Sequence, residues 1–135
     1  MSSTYASTTT VASNTSTELT PVHWTALGLT AITAVTHLYL FVTDDWLPFL
    51  FAGAGFLGLI GVLVALPGYR RPSYVVGILF TASQIIGYLL FPMGPLWLGV
   101  LDKAVQLALV VTFGYLFVAD TRRPAAIDTE AAVRG

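Results

Sequence analysis

The chain has no cysteine and few charged residues. Only 10% of its 135 residues are charged, whereas about a quarter of the residues in an ordinary soluble domain are charged. The absence of cysteine excludes disulfides, thiolate metal ligands and a cysteine nucleophile. A formal net charge of −1 provides no basic surface, so we expect no nucleic-acid partner. This composition is typical of a membrane protein.

Apolar side chains make up 56% of the sequence and fall in long runs. Each run is close to the ~20 residues that a helix needs to cross a bilayer. We therefore expect an all-α protein, a four-helix transmembrane bundle surrounded by the lipid bilayer of the cell membrane. The membrane domain covers 21–119, between a disordered Ser/Thr-rich tail at 1–20 and a polar cytoplasmic tail at 120–135. The predicted spans are 22–43, 47–66, 73–91 and 96–118.

Basic residues near the spans indicate the orientation. Arg70 and Arg71 lie between the second and third spans, and Arg122 and Arg123 follow the fourth, while the connections on the other side have no basic residue. Because Lys and Arg accumulate on the cytoplasmic side, both termini are predicted to be cytoplasmic. Asn14, in the glycosylation pattern NTS, tests this orientation, since a glycan there requires an external N-terminus.

Capping residues indicate where the helices begin. Thr20, directly before Pro21, is expected to be the N-cap of the first helix, with proline in the first turn. By the same argument Asp44 or Asp45, ahead of Pro48, is expected to cap the second helix.

A few polar residues inside the spans lie at a similar depth. Counting about 1.5 Å per residue from the outer span ends places His37, Gln84 and Asp102 roughly 9–10 Å inside. We expect them to share a layer facing the bundle interior, because lipid offers no hydrogen-bond partner. Gln106 lies one turn beyond Asp102 and extends this polar patch inward. The long Lys103 side chain is expected to run toward the outer surface.

Asp102 most needs an explanation, because a carboxyl group inside a span requires a partner or a proton. One interpretation is a polar clasp between helices, in which His37 donates to Asp102 and Gln84 bridges them. That interpretation favours a structural or accessory protein. The alternative is a proton- or ion-coupled carrier or channel, since ionisable groups within spans often mark transport pathways.

Enzymatic activity is not expected. The sequence has no Ser-His-Asp arrangement, no metal-ligand spacing and no phosphate-binding loop, so neither catalysis nor a metal or other cofactor is predicted. A remote alternative is a haem-binding electron-transfer subunit. His23 and His37 are fourteen residues apart, a spacing resembling that of di-haem cytochrome b helices. Those proteins supply matching histidines from a second helix, whereas this chain has no others, so an interfacial His23 is favoured.

The second span carries four glycines, where small residues would let a neighbouring backbone approach closely. We expect all four to be helix-packing positions. A homo-oligomer or an unknown membrane subunit is left open as a further partner. The glycines are Gly53, Gly55, Gly58 and Gly61.

Three segments carry a resemblance to a known family. They are THLYLF, VVGILFTASQIIGYLLFPMGP and GVLDKAVQLALV, and their order and spacing resemble those of short four-span integral membrane proteins of halophilic archaea. The resemblance covers residues 22–119 and leaves out both tails. Its distinctive positions are His37, Gln84, Asp102, Lys103 and Gln106. No function has been assigned to that family, so the resemblance implies a four-helix architecture and no activity.

Overall fold

The computed structural model describes residues 18–122, which form four long helices. A single 3-10 turn, Pro67–Tyr69, comes directly before the third, and no strand occurs within residues 18–122. All four helices are long and apolar enough to cross a membrane. The prediction of an all-α four-helix bundle is therefore confirmed. The helices are α1 (Pro21–Asp44), α2 (Leu47–Ala65), α3 (Arg70–Leu90) and α4 (Leu96–Thr121).

The helices begin and end within three residues of the predicted spans, but one predicted cap is wrong. Thr20 has the extended backbone of an N-cap ahead of α1, as expected. Asp45 instead ends α1: it adopts a left-handed conformation with φ 49°, and its N–H donates to the Phe41 carbonyl at 2.9 Å. Because α1 continues through Asp44, the N-cap of α2 falls on Trp46, which makes no side-chain capping bond.

Several predictions lie outside the described residues. These are the disordered tail up to residue 17, the Asn14 acceptor site, Arg123 and the polar tail beyond it. The cytoplasmic location of the termini also stays a prediction.

The helices form a ring around one core. α1 packs on α2 and α4, and α3 packs on α4 and, more loosely, on α2. Short connections make sequential neighbours antiparallel. The core is built from all four helices and includes Leu27, Phe56, Tyr74, Leu109 and Phe113. The α2–α3 seam is the loosest side of the ring.

The glycines of α2 divide into two pairs. A Cβ on Gly53 would stand 2.7 Å from the Leu38 side chain, and one on Gly55 would stand 2.6 Å from the Phe80 ring. These two glycines therefore permit close packing of α2 on α1 and α3. Gly58 and Gly61 are exposed, with no neighbouring heavy atom within 4 Å of a Cβ. Their predicted packing role does not hold within one bundle, because they occupy the face of α2 that no other helix covers.

Candidate ligand-binding cavity

A cavity of about 220 Å³ lies at the end of the bundle that carries the α1–α2 and α3–α4 connections. All four helices contribute to its lining. Its polar floor contains the buried side chains of His37 and Asp102, whereas Trp46, Phe91 and Met93 are exposed around it. The cavity thus changes from an apolar, largely aromatic rim to a buried polar floor.

One oxygen of the Asp102 carboxylate is fully engaged by residues of its own helix. The Lys103 Nζ donates to Asp102 Oδ2 at 2.8 Å and to Gln106 Oε1 at 3.0 Å. The Gln106 Nε2 donates to the same Oδ2 at 2.9 Å. Within a helix, residues one and four positions apart satisfy and neutralise this oxygen. No other helix is needed for that purpose.

The second carboxylate oxygen, Asp102 Oδ1, is buried and has no hydrogen-bond partner among residues 18–122. On the facing helix, His37 Nδ1 is 4.0 Å away, too far for a hydrogen bond. That nitrogen lies 2.9 Å from the Thr33 carbonyl oxygen, and it carries a proton because a carbonyl only accepts. One other buried polar atom, Thr81 Oγ1, also lacks a partner in this part of the chain, but Thr81 does not line the cavity.

Aromatic side chains of α2 hold the His37 ring in place. Its centroid lies 6.0 Å from that of Phe49, in an edge-on arrangement, and 5.8 Å from that of Phe56. Phe49 packs in turn against Trp46, with centroids 4.9 Å apart. The imidazole is therefore fixed by packing on one side and by the Thr33 carbonyl on the other.

Helix α3 supplies the opposite wall. Gln84 lines the cavity, and its amide makes no hydrogen bond within residues 18–122. The Tyr88 ring centroid lies 5.3 Å from Lys103 Nζ, within the range of a cation–π contact. The Tyr88 hydroxyl occupies the space that a Cβ on Gly99 of α4 would take. Glycine at this position therefore brings the tyrosine close to the lysine.

The structure brings the predicted polar residues together, although not as an interhelical hydrogen-bonded clasp. His37, Gln84, Asp102 and Lys103 line one cavity, and Gln106 joins the network directly below. The hydrogen bonds of this network lie within α4. The Nδ1 atom of His37, on α1, stays 4.0 Å from Asp102 Oδ1. The outward direction expected for Lys103 stays a prediction. Its ammonium donates to Asp102 and Gln106, which are charge-assisted bonds within α4.

Tyr88 and Gly99 are among the cavity-lining residues that were not predicted as part of the polar layer. Tyr88 is one turn beyond Gln84, and Gly99 is one turn before Asp102, so helical spacing places each on the same face as a predicted residue. This helical spacing was the sequence signal that could have placed both residues at the cavity. It could not show that the two residues face each other across the α3–α4 contact.

The other histidine, His23, lies near the opposite end of the bundle. Its Nδ1 accepts from the Thr20 backbone N–H at 3.2 Å and lies 2.6 Å from the Thr20 hydroxyl. Its Nε2, which then carries the proton, lies 2.9 Å from the Tyr74 hydroxyl. Nδ1 thus bonds to the N-cap of its own helix, and Nε2 connects the start of α1 to α3, so an iron ligand would have to displace one of these bonds. Within residues 18–122, no group of three His, Asp or Glu side chains is placed to hold a metal ion.

Comparison with known proteins identifies no family. No protein-family model, curated protein or solved structure matches the chain. The resemblance to haloarchaeal four-span proteins therefore stays a prediction.

Proposed function

We propose that this is a small multi-pass protein of the cell membrane that binds a small hydrogen-bond-donating ligand in the cavity. The four apolar helices are compatible with a multi-pass membrane protein. The observation that supports the binding role is Asp102 Oδ1, a buried acceptor without a partner in residues 18–122 that belongs to a cavity-lining residue. Buried polar atoms in proteins are nearly always paired, so such an atom calls for a donor from outside the described residues.

The energetic reason is the cost of an unpaired buried acceptor. Leaving such a group unsatisfied costs about 1–3 kcal/mol, and more when the group is charged. Because Oδ1 itself is buried, a donor in the cavity recovers this cost once the lining side chains move to admit it. Gln84, on the facing helix, offers a further amide that can donate or accept.

Phenol tests this proposal, because the cavity of about 220 Å³ exceeds the ~150 Å³ of an engineered cavity that holds benzene. Replacing the exposed Trp24 and Trp97 by Phe leaves Trp46, at the cavity, as the only tryptophan. We expect phenol to change the Trp46 fluorescence saturably and to bind more tightly than toluene, which has no donor.

Substitutions at two acidic residues separate a specific effect from a general one. Asp102→Asn replaces a charged acceptor by a neutral one, so we expect about tenfold weaker phenol binding, or ~1.4 kcal/mol. Asp44→Asn is the control, because Asp44 is an exposed acid near the same end that does not line the cavity. Equal binding of phenol and toluene, or no effect of Asp102→Asn, would contradict the proposed role.

A proton- or ion-coupled carrier is the second candidate. It is favoured by the 4.0 Å separation of His37 Nδ1 and Asp102 Oδ1, two titratable groups on different helices beside an open cavity. Proton flux into liposomes would test it, with Asp102→Asn and His37→Gln expected to abolish the flux. Flux that survives both substitutions, or no flux in the natural protein, would remove this candidate. The accessory role without catalysis also stays a prediction.

A further inference from the structure

The cavity has an aromatic lining as well as a polar floor. Trp46, Phe49, Tyr88 and Phe91 all line it. The Trp46 and Phe49 rings meet nearly at right angles, with an interplanar angle of 79°. The face of an aromatic ring carries partial negative charge, so it attracts a cation within about 6 Å of its centre. Several aromatic rings around one cavity are a common means of recognising an organic ammonium group.

One of these rings already contacts a cation. The centroid of the Tyr88 ring lies 5.3 Å from Lys103 Nζ. That ammonium group is paired with the Asp102 carboxylate at 2.8 Å, so the lysine and the aspartate together add no net charge to the cavity. The charge preference of the cavity is therefore decided by the residues around its mouth.

Acidic side chains lie at that mouth. Asp44 and Asp45 are exposed where α1 ends. A Cβ on Gly94 would lie 3.5 Å from Asp44 Oδ2, so this carboxylate lies against the α3–α4 connection, next to the cavity-lining Met93. The arginines of the described chain all lie at the opposite end of the bundle. The electrostatic field at the mouth thus favours a cation over an anion.

An ammonium group can reach the aromatic lining from water. Trp46, Phe91 and Met93 are exposed around the cavity, at the end of the bundle that carries two of the connections between helices. A charged group that enters there does not cross hydrocarbon, where the cost of its desolvation would be high. The volume of about 220 Å³ also accommodates a six-membered ring, since ~150 Å³ is enough for benzene.

We propose that the ligand of the cavity is a small organic cation, a protonated amine with a compact apolar substituent. The aromatic side chains contact the ammonium group, and the carboxylates of Asp44 and Asp45 attract it to the mouth. The N–H groups of the ammonium are donors of the kind that the proposed function requires. This inference rests on the proposed ligand-binding role of the cavity and specifies the charge of the ligand.

Three ring compounds of nearly equal size test the charge preference. Cyclohexylamine, protonated at neutral pH, is the cation, cyclohexanol is the uncharged donor, and cyclohexanecarboxylate is the anion. Binding is followed by Trp46 fluorescence in nanodiscs of zwitterionic lipid, with Trp24 and Trp97 replaced by Phe. We expect the amine to bind about tenfold more tightly than the alcohol, through attraction to the aromatic rings and the acidic mouth. The carboxylate should bind most weakly.

Replacing one ring distinguishes a cation–π contact from apolar packing. Phe91→Leu keeps an apolar side chain but removes the aromatic face, so we expect about fivefold weaker binding of the amine and unchanged binding of cyclohexanol. Phe51→Leu is the matched control, because Phe51 is similarly exposed but does not line the cavity.

The contribution of the acidic mouth is tested by charge removal and by salt. Asp44→Asn, which is expected to leave phenol binding unchanged, should weaken binding of the amine about threefold. The difference between Asp44→Asn and the natural side chain should shrink at about 1 M salt, because exposed charges are then screened over ~3 Å.

The outcomes separate the two proposals. Equal affinities for the amine and cyclohexanol, or tighter binding of the carboxylate, would overturn the cation assignment, and so would a preference for the amine that neither Phe91→Leu nor Asp44→Asn reduces. Phenol binding that still depends on Asp102 would in those cases leave the donor-binding role intact. A preference for the amine that survives Asp102→Asn would support the cation site and contradict the role of Asp102. Absence of saturable binding by the three ring compounds and by phenol would overturn both proposals.

Discussion

Asp102 and Lys103 are consecutive residues of one helix, and they form an ion pair with 2.8 Å between Lys103 Nζ and Asp102 Oδ2. Consecutive side chains on a helix do not face each other, so the lysine must bend back to make this contact. It does so while also donating to Gln106 and lying near the Tyr88 ring. Neutralisation of the carboxylate is therefore local to α4 and leaves one oxygen unengaged.

The first prediction concerns this ion pair. Lys103→Met removes the cation from a buried carboxylate, so we expect the free energy of unfolding to fall by about 3 kcal/mol. Asp102→Asn added to Lys103→Met removes the uncompensated charge and should recover most of the loss. The free energy of unfolding is measured in mixed micelles for Lys103→Met, Asp102→Asn and the double variant. A double-mutant cycle then gives the coupling energy between the two residues. A double variant as unstable as Lys103→Met would show that the lysine contributes through packing instead.

A second prediction contrasts two glycines of α4. Gly99→Ala places a Cβ where the Tyr88 hydroxyl lies, so the protein should lose about 1–3 kcal/mol of stability through overpacking. Gly114 has open space around the position of a Cβ, so Gly114→Ala should gain about 0.5–1 kcal/mol from better helix propensity. Melting temperatures should shift in opposite directions, and shifts of the same sign would contradict the close contact of α3 and α4 at Gly99.

A third prediction concerns the aromatic packing of His37. His37→Phe keeps the ring contacts with Phe49 and Phe56, so it should cost less than about 1.5 kcal/mol. His37→Ala loses these contacts and should cost about 2 kcal/mol or more. Chemical denaturation of both variants measures the difference. Equal costs would mean that the bond to the Thr33 carbonyl, which both variants lose, dominates the contribution of His37 to stability.

A fourth prediction tests the orientation. The chain has no cysteine, so a single introduced cysteine can be labelled without background. Met93→Cys, in the exposed α3–α4 connection, should react with an impermeant maleimide in intact cells. Tyr69→Cys, exposed at the opposite end, should react only after permeabilisation. The reverse pattern would place both termini outside the cell.

Helical periodicity was sufficient to predict the architecture and the shared layer of polar residues. Span lengths gave the four helices, and counting residues from their ends placed His37 and Asp102 at one depth. It did not predict which contacts neighbouring residues make. Lys103 pairs with Asp102 because the carboxylate is within its reach. Asp45 ends α1 instead of capping α2 because α1 extends through Asp44.

The residues that meet across the cavity could not be predicted from the sequence either. A face of a helix can be identified from spacing, but its partner across the interface depends on how the helices rotate against each other. Gly58 therefore has the same local sequence signal as Gly53, although only Gly53 contacts α1. Likewise, the unpaired state of Asp102 Oδ1 follows from the distance to His37, which no pattern in the sequence encodes.

The self-contained network of α4 also bears on how the chain is assembled. Since Lys103 and Gln106 already satisfy one oxygen of Asp102, α4 carries its own counter-ion when it leaves the translocon. We infer that the Asp102–Lys103 pair can enter lipid as an electrically neutral unit, before α4 meets α1. An isolated α4 fused to a glycosylation reporter should then insert efficiently, and Lys103→Met should reduce insertion, whereas insertion that requires α1 would contradict this independence. Insertion of the helix that carries Asp102 would thus be a separate step from the packing of the helices that forms the cavity.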